Sequence, residues 1–536
     1  MGIVSGWFIL LTVVTVIFYD LFSVRRYGWL ILLVASIVFY VSFSPAGLLV
    51  LIPDALISWA AALRIQKLSN TQNEENYDVI QKVKRRCVIG NAVINVVLLF
   101  LFNYYSDTAV FLNAHLGTGL WDAENLFVAV GISYFSLKLI SYTADVCGGI
   151  TEAEKDPLKV ILYTIFFLSV MQGPFERYGK LIPQLTSPER PRLTYRSIKN
   201  AVIRIIYGYI KKLCIADQLA FITAEVFTNY GNYHGLAVLT GIFCYAVQLY
   251  ADFSGYMDIV CGIGQLMGIE VTENFRQPFF SRNLQEFWRR WHITLGAWLK
   301  DYVFYPLMRT RLFEGWSKAI YAKTRNKFLR KLPAFTADLT VWFLIGLWHG
   351  SGFNYIFGVG LLQFLYIFCG TVTKPFTDRL KALLHINEKK GYWRVVQGVK
   401  CTLLMSFAWI FFNSASFSDA LGIIGNIFDK GFSFGQYVGI FTNNVNENYL
   451  VLEAYYNNGS GVVGSWYCWL LFILASTFVL FIVDLIHEND VLVSERIAAR
   501  PYVVRLVFYM LLIFSLIVFG AYGNTYDSAD FIYFRF

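Results

Sequence analysis

The chain has 536 residues, of which 57% are hydrophobic, 18% aromatic and only 15% charged. Soluble proteins carry charge on about 25% of residues, so a water-soluble globule is excluded and an integral membrane protein is indicated. The net charge of +9 does not point to nucleic acid, because the basic residues gather in loops between apolar runs, as cytoplasmic loops do.

Four apolar runs of helical length come first, Ile3–Phe18, Trp29–Phe43, Leu48–Leu63 and Val88–Phe102. Residues 1–8 carry no basic segment, so the first run is read as a retained span and not a cleaved signal. Further runs are Leu126–Ala144, Leu236–Met267, Phe335–Leu347, Ile356–Cys369, Val399–Phe412, Trp466–Leu485 and Val503–Tyr522. Period-2 alternation is not visible, which argues against a barrel. The expectation is an all-α polytopic bundle of about 11–12 spans with added re-entrant and interfacial helices. No soluble domain is expected, so residues 1–536 form a single transmembrane domain.

Basic clusters at Arg25–Arg26, Arg64–Arg86, Arg190–Lys212, Arg276–Lys331, Lys374–Lys400 and Arg496–Arg505 read as cytoplasmic. Alternation then places the N-terminus, the loop 413–465 and the C-terminal tail 523–536 outside. Eight cysteines occur without a CxxC spacing, which reads as small apolar packing residues, with no metal site.

Residues 151–233 depart from the pattern of simple spans. Gly173–Pro174 interrupts an apolar stretch, which predicts a helix break and a re-entrant hairpin. Residues 270–331 are too polar to span and too aromatic for a loose loop. Short interfacial or buried helices are expected here, with Trp288, Trp291 and His292 on one helical face and Glu286 paired with Arg290.

Candidate chemistry concentrates between Gln248 and Gly350. His349, in Gly346-Leu-Trp-His-Gly350, is either a general base for a hydroxyl nucleophile or a structural hydrogen-bonding residue. The flanking GxxxG spacing also suits close helix packing. His292, in Arg289-Arg290-Trp291-His292, either orients a substrate or sits as an interfacial histidine. The histidines at 115, 234, 385 and 487 carry no assigned role. Asp252, Ser254 and Asp258 fall in or beside an apolar run. Carboxylates there must be paired or face a cavity. Arg276 or Arg282 are the expected partners in the first case, and a substrate passage in the second. The basic cluster from Arg282 to Arg311 suits either the phosphates of a coenzyme A or phosphopantetheine donor or anionic lipid headgroups.

Taken in order, QLYADFSGYMDI (248–259), ENFRQPFFSRNLQEFWRRWHITLGAWLKDYVFYPL (273–307) and GLWHG (346–350) resemble the membrane-bound O-acyltransferase family. The resemblance is to its bacterial branch, which acetylates alginate or D-alanylates teichoic acid. VGISYFSLKLISYTADV (130–146) and QGPFERYGKLIPQL (172–185) add to it, and the whole covers roughly residues 125–370. The resemblance implies a helical bundle whose core is entered from both sides. In it, His349 is the catalytic histidine and His292 the family's second histidine. Trp288, Arg289, Arg290, Trp291, Asp252, Ser254 and Trp348 are the expected substrate-binding set. The implied donor is a cytoplasmic acyl thioester, acetyl-CoA or an acyl carrier protein's phosphopantetheine. The implied acceptor is an extracellular polysaccharide, and the implied partner a secreted polysaccharide-modifying acyltransferase (SGNH or AlgX-like). The terminal DFIYFRF, Asp530–Phe536, is similar to a tail motif of this branch. That similarity implies that Tyr533 carries the acyl group between donor and acceptor. The alternatives are D-alanyl transfer to teichoic acid and a non-catalytic export or scaffold subunit.

Overall fold

The computed structural model describes residues 2–21, 27–116, 130–189, 193–429, 431, 433–442 and 466–521. Among them the chain is helical, with a single isolated antiparallel bridge between Phe275 and Trp291. Seven helices are long and apolar enough to cross a membrane, namely Leu48–Asn70, Tyr77–Phe102, Leu236–Leu266, Tyr355–Leu383, Gly391–Asn413, Leu471–Glu488 and Tyr502–Phe519. Gly6–Leu21, Gly28–Val41 and Phe417–Phe428 are apolar but shorter. The helices divide between two units, one of Met1–Ile205 with Val260–Glu273, the other of Ile206–Ile259 with Asn274–Asp527.

The first unit holds α1 (Gly6–Leu21), α2 (Gly28–Val41), α3 (Leu48–Asn70), α4 (Tyr77–Leu116), α5 (Ile132–Cys147), α6 (Pro157–Ile165) and α7 (Tyr178–Thr186). Helix α5 is buried along nearly its whole length and still carries Ser133, Ser136, Lys138, Ser141, Thr143 and Asp145. Polar groups out of reach of water must find each other, and here they join helices. The Ser58 hydroxyl donates to Asn91 Oδ1 at 2.8 Å, and Asn91 Nδ2 donates to Thr143 Oγ1 at 3.1 Å, which ties α3, α4 and α5 together. Interhelical bonds of this kind contribute about 0.6–2 kcal/mol each in membranes.

The expected interruption is present, but its position and cause differ from expectation. Helix α6 starts at a firm signal: Asp156 accepts from the Leu158 N–H at 3.0 Å, and Pro157 occupies the first turn. It stops at Ile165, well before Gly173–Pro174, and residues 166–177 run buried and non-helical to α7. The stop is set by Lys138 of α5. Its ammonium, wholly buried, donates to the carbonyls of Tyr163 and Thr164 and to Ser169 Oγ at 3.1 Å. Terminal carbonyls that a helix leaves unsatisfied are met by a charged donor from a neighbour. At the far end of the segment the buried Glu176 carboxylate accepts from Thr272 N and Oγ1, at 2.7 and 2.9 Å.

The second unit holds most of the candidate chemistry. Its elements are α9 (Asp217–Thr228), α11 (Leu284–Arg290), α12 (Ile293–Leu299), α13 (Tyr305–Met308), α14 (Arg311–Lys323), α15 (Leu332–His349), α16 (Leu362–Leu383) and α17 (Gly391–Asn413). They are followed by α18 (Phe417–Phe428), α19 (Phe434–Thr442), α20 (Trp466–Glu488), α21 (Val493–Ala498) and α22 (Tyr502–Phe519). By sequence, α8 (Tyr195–Tyr209) and α10 (Leu236–Leu266) belong partly to each unit. The short helices of 270–331 are present as expected. Replacing Lys138 with Met should leave the Tyr163 and Thr164 carbonyls without a donor and lower stability by about 1–3 kcal/mol, read as a reduced melting temperature in detergent.

Candidate active site

Charge in the apolar interior sets the frame of the site. After α8 the helix widens into a π-helical turn, Ile210–Ala216, which carries Lys211 and Lys212. Such turns are rare and cluster at functional sites. Lys212 Nζ lies 2.7 Å from Asp252 and 2.8 Å from Asp217, and Lys211 Nζ lies 2.8 Å from Asp258. Asp484 of α20 accepts from the Tyr250 hydroxyl at 2.7 Å. The carboxylates of α10 are therefore paired, but with lysines and not with the arginines expected. Arg276 instead meets Asp490 at 3.2 Å, and the Arg282 backbone N–H donates to Glu286 at 3.0 Å. The lysines win because their turn packs at the depth of Asp252, whereas the arginines lie in the exposed polar segment. Ser254 is buried on the same helix, beside Phe253.

The helix expected to carry Trp288, Trp291 and His292 on one face ends before the histidine. Asn283 caps α11 by accepting from the Glu286 N–H at 2.9 Å, and α11 stops at Arg290. Trp291 is extended and pairs with Phe275, and the Arg276 N–H donates to the Arg290 carbonyl at 3.0 Å. His292 then adopts a left-handed conformation, φ 47° and ψ 51°. For a residue with a Cβ that costs about 1–2 kcal/mol, so the surroundings must impose it. Asn274 does so. Its carbonyl accepts from Ile293 N at 3.1 Å, and its Oδ1 accepts from Thr294 N at 3.0 Å and Thr294 Oγ1 at 2.6 Å. Strain held in this way is found at active sites.

The second histidine arrives from α15. His349 is its last residue, and the glycines on either side explain how the helix ends where it does. A Cβ on Gly346 would lie 2.7 Å from Ile356 Cα, and one on Gly350 2.6 Å from the Tyr355 ring. The GxxxG face is thus used for packing, against the π-helical turn Tyr355–Leu361. The His349 ring meets Trp348 at 4.7 Å and Phe412 at 5.3 Å. The His292 ring meets Phe253 at 4.9 Å and Trp348 at 6.2 Å. Trp348 therefore lies against both imidazoles, which are 3% and 4% exposed. Burial holds the His292 imidazole well below its ordinary pKa, the nearby His349 adding to the shift. A neutral ring can take a proton or donate one hydrogen bond.

The remaining expected residues separate into different surroundings. Trp288 donates its indole N–H to Gln363 Oε1 at 3.3 Å and stacks edge-on with Trp342 at 5.0 Å. Trp291 is packed among Tyr250, Phe275, Phe287 and Trp409. Arg290 pairs with Glu286, as expected, at 2.7 Å, and also with Glu488 at 2.5 Å. Trp291 and Arg290 are thus occupied in holding the segment. Among the described residues Arg289 bonds only its own helix, Nε to the Gln285 carbonyl at 3.3 Å, and it is exposed. Tyr533 and the tail, and much of the loop 413–465, lie outside the described residues. The residues not anticipated are Asn274, Lys211, Lys212 and Gln363. Only the lysine pair had a legible signal, two adjacent charges set between Ile210 and the apolar Leu213–Ala216.

Two buried imidazoles in an apolar, aromatic setting, on a helical membrane chain, form a site suited to proton transfer during acyl exchange. The model of the membrane-bound O-acyltransferase family matches residues 92–413. The "Probable alginate O-acetylase AlgI" of Pseudomonas syringae pv. tomato is 29% identical over 418 residues, covering 77% of this chain and 72% of that protein. The "Peptidoglycan O-acetyltransferase" of Helicobacter pylori is 27% identical over 461 residues, covering 80% and 79%. The "Teichoic acid D-alanyltransferase" of Bacillus subtilis is 28% identical over 269 residues, covering 48% and 63%. The protein is a multi-pass membrane O-acyltransferase. The chain belongs to the membrane-bound O-acyltransferase family.

Two outcomes follow for the buried frame. Lys212→Met alone should cost about 3–5 kcal/mol, because it takes the lysine from both Asp252 and Asp217, and adding Asp252→Leu should recover only part of that loss, Asp217 still lacking its lysine; thermal unfolding of the two variants measures the difference. Asn274→Ala should cost about 1–3 kcal/mol and reduce acyl transfer while substrate KM changes little, because His292 loses its imposed backbone angle.

Proposed function

We propose that this enzyme supports O-acetylation of an extracellular cell-envelope polysaccharide, with acetyl drawn from a cytoplasmic thioester, either acetyl-CoA or a carrier protein's phosphopantetheine. The observation that carries this reading is the placement of His292 and His349 against the same Trp348, in a chain similar along most of its length to two O-acetylating proteins. His349 takes the proton of the attacking hydroxyl. The hydroxyl oxygen bonds to the thioester carbonyl carbon, the carbon–sulfur bond breaks, and the thiolate leaves with a proton as the free thiol. One ester forms for each thioester consumed. His292, held by Asn274, is positioned to donate a hydrogen bond to the carbonyl oxygen as charge develops there. The lower coverage of the D-alanylating relative favours acetyl over D-alanyl.

The first hydroxyl is assigned to Tyr533, on the strength of the resemblance of the terminal DFIYFRF to the tail of this branch. Acyl-Tyr533 would then hand the group to a secreted acyltransferase of the SGNH or AlgX-like kind, dividing one transfer into two. Charge along the chain supports a tail on the outer side.

His349→Ala should lower polymer acetylation roughly 100-fold or more, with expression and gel-filtration behaviour retained. Unchanged acetylation would leave only a scaffold role. Feeding isotopically labelled acetyl donor to wild-type cells should give a labelled C-terminal peptide by mass spectrometry, the mass of the adduct separating acetyl from D-alanyl. An unlabelled peptide alongside a labelled polymer would remove Tyr533 from the path.

A further inference from the structure

A cavity of about 930 Å³ opens between α16 and α17, with the start of α11 as its third side. That is large enough for a sizeable organic ligand, and neither histidine lines it. The two helices that wall it are among those long and apolar enough to cross the membrane. Tyr366, Leu380 and Leu404 supply apolar wall from both.

Its polar lining is biased toward positive charge. Arg282, Lys374, Lys381 and Lys400 line it, against Asp378 and Glu388. Both carboxylates are already engaged. Lys381 reaches Asp378 at 3.0 Å and Glu388 at 2.5 Å, and Lys374 reaches Asp378 at 3.4 Å. Arg282 and Lys400 form no ion pair with any described residue and are exposed. Trp393 lies in the first turn of α17, and its buried indole N–H has no hydrogen-bond partner among the described residues. A tryptophan near the start of a span, its N–H without an acceptor among the described residues, and two cations outside any ion pair among the described residues thus all line one apolar cleft.

We infer that this cavity binds an anionic phospholipid, its phosphate at Arg282 and Lys400 with the Trp393 N–H, its acyl chains along α16 and α17. The requirement is chemical. The apolar walls need chains, the cations need negative charge, and the indole needs an acceptor oxygen. Basic pockets between membrane helices take such headgroups, and tryptophan favours that depth. Helix α16 also carries Gln363, the acceptor for Trp288, so the lipid would brace a helix that contacts the site. The assignment does not depend on the acyl-transfer reading.

The test uses the full chain, delipidated in detergent, offered equal amounts of phosphatidylglycerol and phosphatidylcholine of matched chains, and read by native mass spectrometry. One phosphatidylglycerol should be retained in preference to phosphatidylcholine, by roughly tenfold or more if both cations contribute. R282E/K400E should remove the preference. Gly370→Leu should lower retention of both lipids without changing charge, since a Cβ at Gly370, which lines the cavity, meets nothing within 4 Å. It serves also where the double charge variant fails to fold. Equal retention of the two lipids by the wild type, an undiminished preference in R282E/K400E, or undiminished retention of both lipids in Gly370→Leu would overturn the proposal. Displacement of the lipid by coenzyme A would overturn it as well, assigning the cavity to a soluble phosphate-bearing ligand.

Discussion

Ammonium groups cannot be left unpartnered in an apolar interior, and the second unit is arranged around two of them. Lys211 and Lys212 each hold a carboxylate of α10 within 3 Å, and Lys212 holds Asp217 as well. Removing two opposite charges from water costs several kcal/mol per ion, so neither partner tolerates displacement of the other. The pairs consequently fix the rotation of α10. That rotation sends Phe253, the residue after Asp252, against His292. Packing that looks purely aromatic at the imidazole is thus registered by an electrostatic lock one residue away.

The first unit meets the same constraint at Lys138. Lys138 faces carbonyl oxygens and a hydroxyl, so a broken helix is stabilised by neutral acceptors. Non-helical backbone is tolerated inside a membrane protein only when its polar groups are satisfied by protein or water. In the buried stretch 166–177 the Phe167 N–H donates to Ser36 Oγ at 3.2 Å and the Glu176 carbonyl accepts from the Tyr163 hydroxyl at 2.8 Å.

Much of this was legible in the residues themselves. Apolar run length located most helices, and the order of the DFSGY, FWRRWH and LWHG motifs carried the family. The GxxxG around His349 was legible as packing chemistry. What escaped was nonlocal. Helical spacing puts Trp288, Trp291 and His292 on one face, because nothing in the composition announces a stop after Arg290. The stop comes from Phe275 and Asn274, which lie more than a helix turn away in sequence and act only once folded. The partners of Asp252 and Asp258 were misassigned for a related reason. Arginines close in sequence were preferred over lysines some forty residues earlier, and depth within the bundle is not encoded in sequence distance.

The left-handed backbone at His292 has a bearing on how this position can vary. Glycine and asparagine enter that region of dihedral space readily, while alanine and the branched residues resist it. An alanine at 292 therefore changes two things at once, the ring and the local chain path. Asparagine keeps the path and supplies a polar group of shorter reach, so it isolates what the imidazole itself contributes. Natural drift at this site is narrowed in the same way: most single replacements would disturb the geometry of Thr294 and Asn274 before any effect on chemistry were felt.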